Sequence, residues 1–564
     1  MLNLEALTAA TRAFPGVTHV ERLDFACFPD ALQRMKNAVA AHDLTRVVIG
    51  ACSGRTHDAL FQRAVREVGL NPYLLETVNL REQCAWVHKD QPQMATQKAH
   101  ELIRRAVGRL LPAQAIHRNK RIPVSDALVI GGGVSGMTAA LTIADSGHDV
   151  HLVEKRDVLG GNLLHIYYVA EGNNPRQLLR DLVNRVRGHE RIHVYTRTQV
   201  VGHTGHVGDF RSTLHTTNPD GSVSETHVSH GATIVAIGGR ETRNGYGLGE
   251  HPHIITQSDL EETVVHNPQE LDGLQRVVMI QCVRPPGAPD YCSRTCCTNT
   301  LKNAIRLKML NPQCQVIVLY KNIVTYGFRE QFYTEARRRG VIFMRYTEEQ
   351  PPRVVPDNGR LCVHVTDLSL KRPFELVADR VVLSMSIAPA EETASLARLL
   401  QLPLSPEGFF MEAHLKMRPM DFMQEGVFLC GMAHYPKFIE ESISHALAAA
   451  GRALQVLSRE TLHVGGVVAV VDPEQCVGCL TCVRTCPFGI PAIRNDRPGV
   501  GGLGGSAYIE PSLCQGCGTC TAECPANAIQ LLNYLDAQIV QPAQGGLGAW
   551  QPFDVAAVES GAKP

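Results

Sequence analysis

Residues Asp126–Lys155 read DALVIGGGVSGMTAALTIADSGHDVHLVEK. An apolar strand, Asp126–Ile130, runs into a glycine cluster. A helical stretch from about Ser135 to Ser146 follows, and a second strand, Asp149–Glu154, closes the unit. Gly131, Gly133 and Gly136 have the Gly-x-Gly-x-x-Gly spacing of a dinucleotide-binding βαβ turn. The first glycine makes the tight turn, the second admits a pyrophosphate against the backbone, and the third lets helix and strand pack closely. The pyrophosphate is expected at the start of the helix, around Val134 and Ser135, where free N–H groups and the dipole favour negative charge. Glu154, with Lys155 beside it, ends the second strand where a carboxylate binds ribose hydroxyls.

Three further stretches favour FAD over NAD. Glu154 leads into Gly160-Gly161-Asn162, a turn typical of flavoprotein reductases. Ala232–Gly239 (ATIVAIGG) has the form of their second strand-and-glycine motif, with Gly238 in the turn. Gly426–Gly431 (GVFLCG) has the form of the late strand that approaches the flavin ribityl chain and ends on Gly431.

The 18 cysteines are the second signal. Cys476-x2-Cys479-x2-Cys482-x3-Cys486-Pro487 repeats as Cys514-x2-Cys517-x2-Cys520-x3-Cys524-Pro525. This is the bacterial two-cluster ferredoxin pattern, in which the fourth cysteine of each run ligates the other cluster. One [4Fe–4S] cluster is therefore expected on Cys476, Cys479, Cys482 and Cys524, the other on Cys514, Cys517, Cys520 and Cys486. A third group, Cys282, Cys292, Cys296 and Cys297, follows the strand Arg276–Gln281 (RVVMIQ). That strand and Gln315–Tyr320 read as the first two strands of a second βαβ unit. A nicotinamide-binding glycine turn would belong where Cys282-Val283-Arg284-Pro285-Pro286 stands. Proline offers a phosphate no N–H, so this unit is expected to hold a [4Fe–4S] cluster rather than NADH or NADPH. The alternative on spacing alone is buried thiols with a redox disulfide. Cys314, Cys362 and Cys430 stand singly in apolar, strand-like runs and are read as small core residues.

With 564 residues the chain is too long for one core. Its 55 basic residues balance its 55 acidic ones, which gives no argument for nucleic acid or for an acidic membrane surface. No apolar run is long enough to span a bilayer. Met1–Pro15 lacks the basic start of a signal peptide, so reduced thiols in a cytoplasm are expected. The 24 histidines form no ligand-spaced pair. The organisation expected is a small α/β domain over 1–120, a Rossmann-type domain over 121–464 containing the second βαβ unit (about 252–385), an α+β ferredoxin domain over 465–535, and a tail over 536–564. Gln541–Pro564, rich in Gly, Ala and Pro, is expected to be flexible or a docking segment.

Taken together, these motifs resemble the HdrA family, an iron–sulfur component of heterodisulfide reductase, and its bacterial relatives. The likeness runs through Val47–His57 (VVIGACSGRTH), Gly69–Trp86 (GLNPYLLETVNLREQCAW), the fingerprint to Glu154, Leu159–Gly172 (LGGNLLHIYYVAEG), Ile280–Ala304, Gly431–Gly451 and both cysteine runs. The resemblance implies a thioredoxin-reductase-like FAD core and a cluster beside the flavin on Cys282, Cys292, Cys296 and Cys297. It also implies a catalytic lysine near the flavin ring at Lys302, with Lys437 a second candidate. It further implies a homodimer within a larger complex, whose other subunits, with ferredoxin or a dehydrogenase, exchange electrons with it. In that family the flavin often bifurcates electrons. Two departures stand out. No cysteine lies between Glu171 and Ala232, so the ferredoxin insertion of longer members is missing. The early Cys-x-Cys segment is missing too, leaving Cys27, Cys52 and Cys84 as three thiols without an obvious fourth for an N-terminal cluster. A non-catalytic role in electron wiring is the alternative function.

Overall fold

The computed structural model describes residues 2–357 and 359–543. The chain divides into two compact units, Arg121–Leu462 and the pair Met1–Lys120 with His463–Pro564.

In Arg121–Leu462, short runs of Val, Ile, Leu and Ala form two parallel sheets, as expected of strands buried on both faces. The first has five strands in the order Val427–Leu429, Ala232–Val235, Ala127–Ile130, Val150–Val153 and Ile192–Tyr195. The fingerprint strand is central, and Ala127, Leu128 and Val129 are fully buried. Helices Val134–Asp145 and Ile439–Leu457 pack on one face through Ala140, Ala446, Ala449, Ala450 and Ala453. Small side chains there let the helices sit close together. The second sheet, also parallel and five-stranded, runs Ile254–Thr256, Arg380–Met385, Arg276–Val283, Gln315–Tyr320 and Ile342–Arg345. Each sheet carries an antiparallel three-stranded ribbon, Thr198–His230 on the first and Arg353–Ala378 on the second.

The ribbon on the second sheet overturns one expectation. Leu361, Val363 and Val365 point into the core, so the period of two puts Cys362 on the outer, half-exposed face. Cys362 is not a core residue. Cys314 and Cys430 are buried as expected.

In the other unit, Val47–Ala51 pairs in parallel with Leu75–Asn79, flanked by helices Gly54–Glu67 and Pro92–Leu110. The segment from His463 contributes two small antiparallel strand pairs, Ala469–Val471 with Ile529–Leu531 and Ala492–Arg494 with Ser506–Tyr508. Two short helices, Thr481–Thr485 and Thr519–Ala522, join them. The helix Asp536–Ala543 lies against Pro92–Leu110. The rest of the expected tail, from 544, lies outside the described residues. Among the described residues no helix is long and apolar enough to cross a membrane.

The fingerprint glycines differ in what they tolerate. Gly131 has φ 111°, and a Cβ there would come 2.4 Å from the Ala236 carbonyl oxygen. At Gly136 a Cβ would come 1.8 Å from the Gly131 oxygen, whereas at Gly133 it would meet nothing closer than 4.0 Å. Gly136→Ala is expected to destabilise the ligand-free protein by about 1–3 kcal/mol through overpacking. Gly133→Ala should leave its stability within about 0.5 kcal/mol of the parent. Scanning calorimetry of the two variants checks both.

Candidate functional site

The fingerprint turn opens onto a cavity of about 960 Å³ within Arg121–Leu462. That is at the upper end of the volumes, about 300–1,000 Å³, of cofactor and ligand sites. Gly131, Gly133, Val134, Ser135, Glu154, Lys155, Gly161, Asn162, Gly238, Lys302 and Lys437 all line it. Gly136 does not; it is the packing point beneath Gly131. Gly431 does not line it either. Its φ is 66°, and a Cβ there would come 2.2 Å from Ser135 Oγ, so it supports the start of the fingerprint helix from behind.

The polar groups beside the fingerprint turn are held by the backbone or by a neighbouring side chain. Glu154 Oε2 accepts from Gly132 N–H at 2.7 Å and Oε1 from Arg156 N–H at 2.9 Å. The carboxylate is thus fixed with lone pairs to spare. Asn162 donates to the Gly239 carbonyl at 2.7 Å. Lys155 reaches Glu392 at 2.6 Å.

The inner wall carries charge that the motifs do not reveal. Lys302 Nζ lies 2.6 Å from Glu261 Oε2 and 2.7 Å from the Tyr168 carbonyl oxygen. Both side chains of the pair are buried. Glu261 Oε1 also accepts from the N–H groups of Tyr167 and Tyr168, at 2.6 and 3.1 Å. Burial pulls the Lys302 pKa below its usual value, and the charge of Glu261 opposes that pull. Glu241, also on the wall, is pushed up to about 7 by burial, against hydrogen bonding from Ser258 and the charge of Arg243. Lys437 is brought down to about 8, by burial first and then by the Arg294 guanidinium. Its Nζ donates to His434 Nδ1 at 3.0 Å, and His434 Nε2 donates to Glu412 at 2.8 Å. Lysine has only donors, so this chain of contacts fixes His434 as the neutral Nε2–H tautomer.

The cysteine patch borders the same cavity, and Cys296 lines it. Cys282 lies at the end of the strand Arg276–Val283 with φ 60°, and Arg294, just before the helix Thr295–Leu310, has φ 59°. The loop between them is pinned by the Arg294–Glu441 ion pair at 2.8 Å and by Arg294 donation to the Pro436 carbonyl at 2.9 Å. Cys282 and Cys296 each feel the charges of Cys292 and Cys297. Cys296 donates to Cys297; that bond lowers the pKa of Cys297 and, with burial, raises that of Cys296. Backbone N–H groups of Arg294 and Val324 point at the sulfurs of Cys292 and Cys297, each at 3.4 Å. The ferredoxin segment has the same kind of contact, from Ala469 to Cys514 and from Ala507 to Cys476, each at 3.4 Å. In that segment Cys476, Cys479, Cys482 and Cys524 surround one hollow and Cys486, Cys514, Cys517 and Cys520 another. In the N-terminal segment, Cys27 and Cys52 share the neighbourhood of the Arg81 guanidinium. Cys84 is buried in a π-turn, Arg81–Trp86, and Lys98 is the charge acting on it.

Residues 126–260 match the family described as FAD dependent oxidoreductase, and residues 475–529 the 4Fe-4S dicluster domain. An HdrA-type CoB–CoM heterodisulfide reductase iron-sulfur subunit of Methanopyrus kandleri is 31% identical, over 87% of this chain and 88% of that one. The chain belongs to the HdrA family of heterodisulfide reductases. The CoB–CoM heterodisulfide reductase HdrA of Methanocaldococcus jannaschii is 30% identical over 98% of this chain and 97% of its own. As a member of that family the protein is an oxidoreductase that carries FAD and [4Fe–4S] clusters. Among solved structures, Lactococcus lactis thioredoxin reductase overlaps 59% of this chain and 99% of its own, with 16% identity and a TM-score of 0.43.

Two half-buried groups on the cavity wall give opposite pH signatures in the flavin-free protein. Glu241, raised to about 7, binds a proton in the folded state that the unfolded state has lost, so its penalty grows from about pH 4.5 to pH 7. Glu241→Gln should therefore raise the unfolding midpoint at pH 8 and leave it unchanged near pH 5. Lys437, lowered to about 8, is penalised while it is charged, and the penalty fades as pH rises through that value. Lys437→Met should raise the midpoint at pH 7, with the gain shrinking by pH 10. Thermal unfolding across this range checks both signs.

Proposed function

We propose that this chain is the flavin and iron–sulfur electron-transfer component of a heterodisulfide-reductase-like complex, exchanging electrons with protein partners rather than with a pyridine nucleotide. The observation that carries the reading is that Cys296, one of four cysteines within electrostatic range of one another, lines the same cavity as the fingerprint glycines. In this reading Gly131, Gly133, Val134 and Ser135 hold the FAD pyrophosphate, Glu154 the ribose, and Gly161, Asn162 and Gly238 the turn above it. Cys282, Cys292, Cys296 and Cys297 hold a third cluster, in addition to the two on the ferredoxin cysteines. When bound, FAD supplies the change between two-electron and one-electron transfer that links partners of different kinds.

The chain's own residues manage charge at that site. Lys302, locked to Glu261, keeps a cation fixed at the wall. Glu241 and Lys437 hold or release a proton near neutral pH. His434 and Glu412 orient the Lys437 ammonium. The prolines at 285 and 286 remove the donors that a nicotinamide dinucleotide would need. Flavin-based bifurcation fits the family and is the finer form of this proposal. A relay without bifurcation is the second reading, favoured by the missing cysteines between Glu171 and Ala232. Anaerobic redox titration separates the two, since crossed one-electron flavin potentials are required by the first and not by the second.

The anaerobically reconstituted protein should hold one FAD and about twelve iron atoms. Cys297→Ala should lose about four of them while keeping the ferredoxin clusters. Iron near eight in the parent, or an unchanged count in the variant, would remove the third cluster. In stopped-flow mixing, neither NADH nor NADPH should bleach the flavin of the isolated chain, and saturable bleaching by either would overturn the reading of the second sheet.

The buried pair on the wall gives a separate test. Glu261→Gln leaves Lys302 without its carboxylate and should cost about 3–5 kcal/mol. The Glu261→Gln, Lys302→Met double variant should recover much of that loss, measured by urea unfolding of the flavin-free protein.

A further inference from the structure

The ribbon Arg353–Asp357, Arg360–Asp367 and Arg372–Ala378 contributes no residue to the cavity or to any of the cysteine groups above. Its inner face is spent on packing. Leu361, Val363, Val365, Leu376 and Ala378 are buried in the core of the second sheet. The alternation that buries them brings Cys362 and His364 out side by side on the opposite face, two residues apart on one strand. The antiparallel register then places Glu375 directly across from His364 and Val377 across from Cys362. Glu375 is therefore the direct neighbour of one residue and the diagonal neighbour of the other, both within side-chain reach.

Three donor types meet in that triangle. A thiol sulfur, an imidazole nitrogen and a carboxylate oxygen from Cys362, His364 and Glu375 all lie within 4.8 Å of one another. His364 Nδ1 is 3.5 Å from Glu375 Oε1. Among the described residues this is the only such set of three. The twelve cysteines assigned to clusters do not qualify, as expected of ligands spread around a cubane rather than around one ion.

We propose that Cys362, His364 and Glu375 form a site for one divalent cation of the zinc class, with its fourth position open to solvent. The donor set selects the ion. Magnesium and calcium take oxygen ligands only, whereas sulfur, imidazole and carboxylate together are zinc ligands. Zinc–ligand bonds of about 2.0–2.3 Å put tetrahedral donors roughly 3.5 Å apart, so donors already this near need only small side-chain rotations. His364 and Glu375 are free to make them, with side chains 43% and 75% exposed. Val355 and Val377 flank Cys362 on the neighbouring strands, both partly exposed, and give the thiolate apolar walls. The facing residue beyond His364 is Arg353, exposed on the outer strand. Three protein ligands with an open position are the arrangement of reactive rather than purely structural zinc, so the fourth position takes water or an incoming thiolate. Binding must displace the thiol proton, and affinity should rise with pH.

The test uses the full-length protein with its clusters and flavin in place, so that cluster cysteines are already occupied. It is equilibrated with zinc sulfate, washed by gel filtration, and assayed for zinc, iron and FAD. The expected result is about one zinc per chain, at least tenfold weaker zinc binding in His364→Ala and in Glu375→Gln, and unchanged iron and FAD in both. Zinc-edge X-ray absorption should show one sulfur among nitrogen and oxygen neighbours. No zinc in the parent, equal zinc in parent and variants, or an all-sulfur or all-oxygen shell would each overturn the proposal. The unchanged iron and FAD contents guard against a variant that has merely unfolded.

Discussion

The arrangement of the cavity depends on one close approach. The start of the helix Val134–Asp145 rests on the Gly131 carbonyl at Gly136, where a Cβ would stand 1.8 Å from the oxygen. With no side chain there, the helix begins directly against the end of the central strand, and its unpaired N–H groups face the opening. Glu154 is drawn into the same turn by the Gly132 and Arg156 amides. Gly431 abuts Ser135 from the other side. The fingerprint end of the wall is therefore set by contacts within the protein itself.

The second sheet repeats the strand–turn–helix plan and meets the same constraint differently. In the first sheet Gly131 takes a positive φ at no steric cost. In the second, Cys282 takes it, with φ 60°, a conformation that costs a non-glycine residue of order 1–3 kcal/mol. Arg294 does so again at the far end of the loop, where Glu441 and the Pro436 carbonyl hold it. Two strained residues bracketing one loop need surroundings that over-determine them. The consequence is that a turn able to cradle phosphate in one sheet presents a thiol in the other, with Cys296 and Cys297 at the N-terminus of the following helix.

What can be read from the sequence is whatever is encoded locally. The glycine spacing, the two cysteine runs and the strand that leads into Cys282 each depend on residues a few positions apart, so their chemistry shows in one dimension. The Lys302–Glu261 pair depends on two helices meeting, and Glu241 and Lys437 titrate as they do because the fold buries them. Nothing in their immediate neighbours announces that. Cys362 escapes the sequence pattern for a related reason. An apolar run with a single cysteine looks like core, but the alternation Leu361–Cys362–Val363–His364–Val365 has two faces. The histidine two places on is the available sign that one of them is outside. Gly431 differs again: its motif is recognisable, but its placement against Ser135, which itself lines the cavity, is visible only in the fold.

The ionisable groups of the wall divide into two kinds, and the division bears on how a buried redox site tolerates a change of charge. Adding an electron to a low-dielectric site is costly unless a proton accompanies it or a fixed cation stands near. Lys302 is the fixed kind: Glu261 and the Tyr168 carbonyl oxygen hold its ammonium in place. Glu241, near 7, and Lys437, near 8, are the adjustable kind, because each can change protonation close to neutral pH. A wall with both kinds can offset a change of one charge in either direction with little reorganisation. A wall of locked pairs alone could not, and a wall of ordinary exposed carboxylates and lysines would titrate too far from neutrality to respond. Burial is thus what moves these two residues toward neutrality, within a wall that carries other charged groups as well.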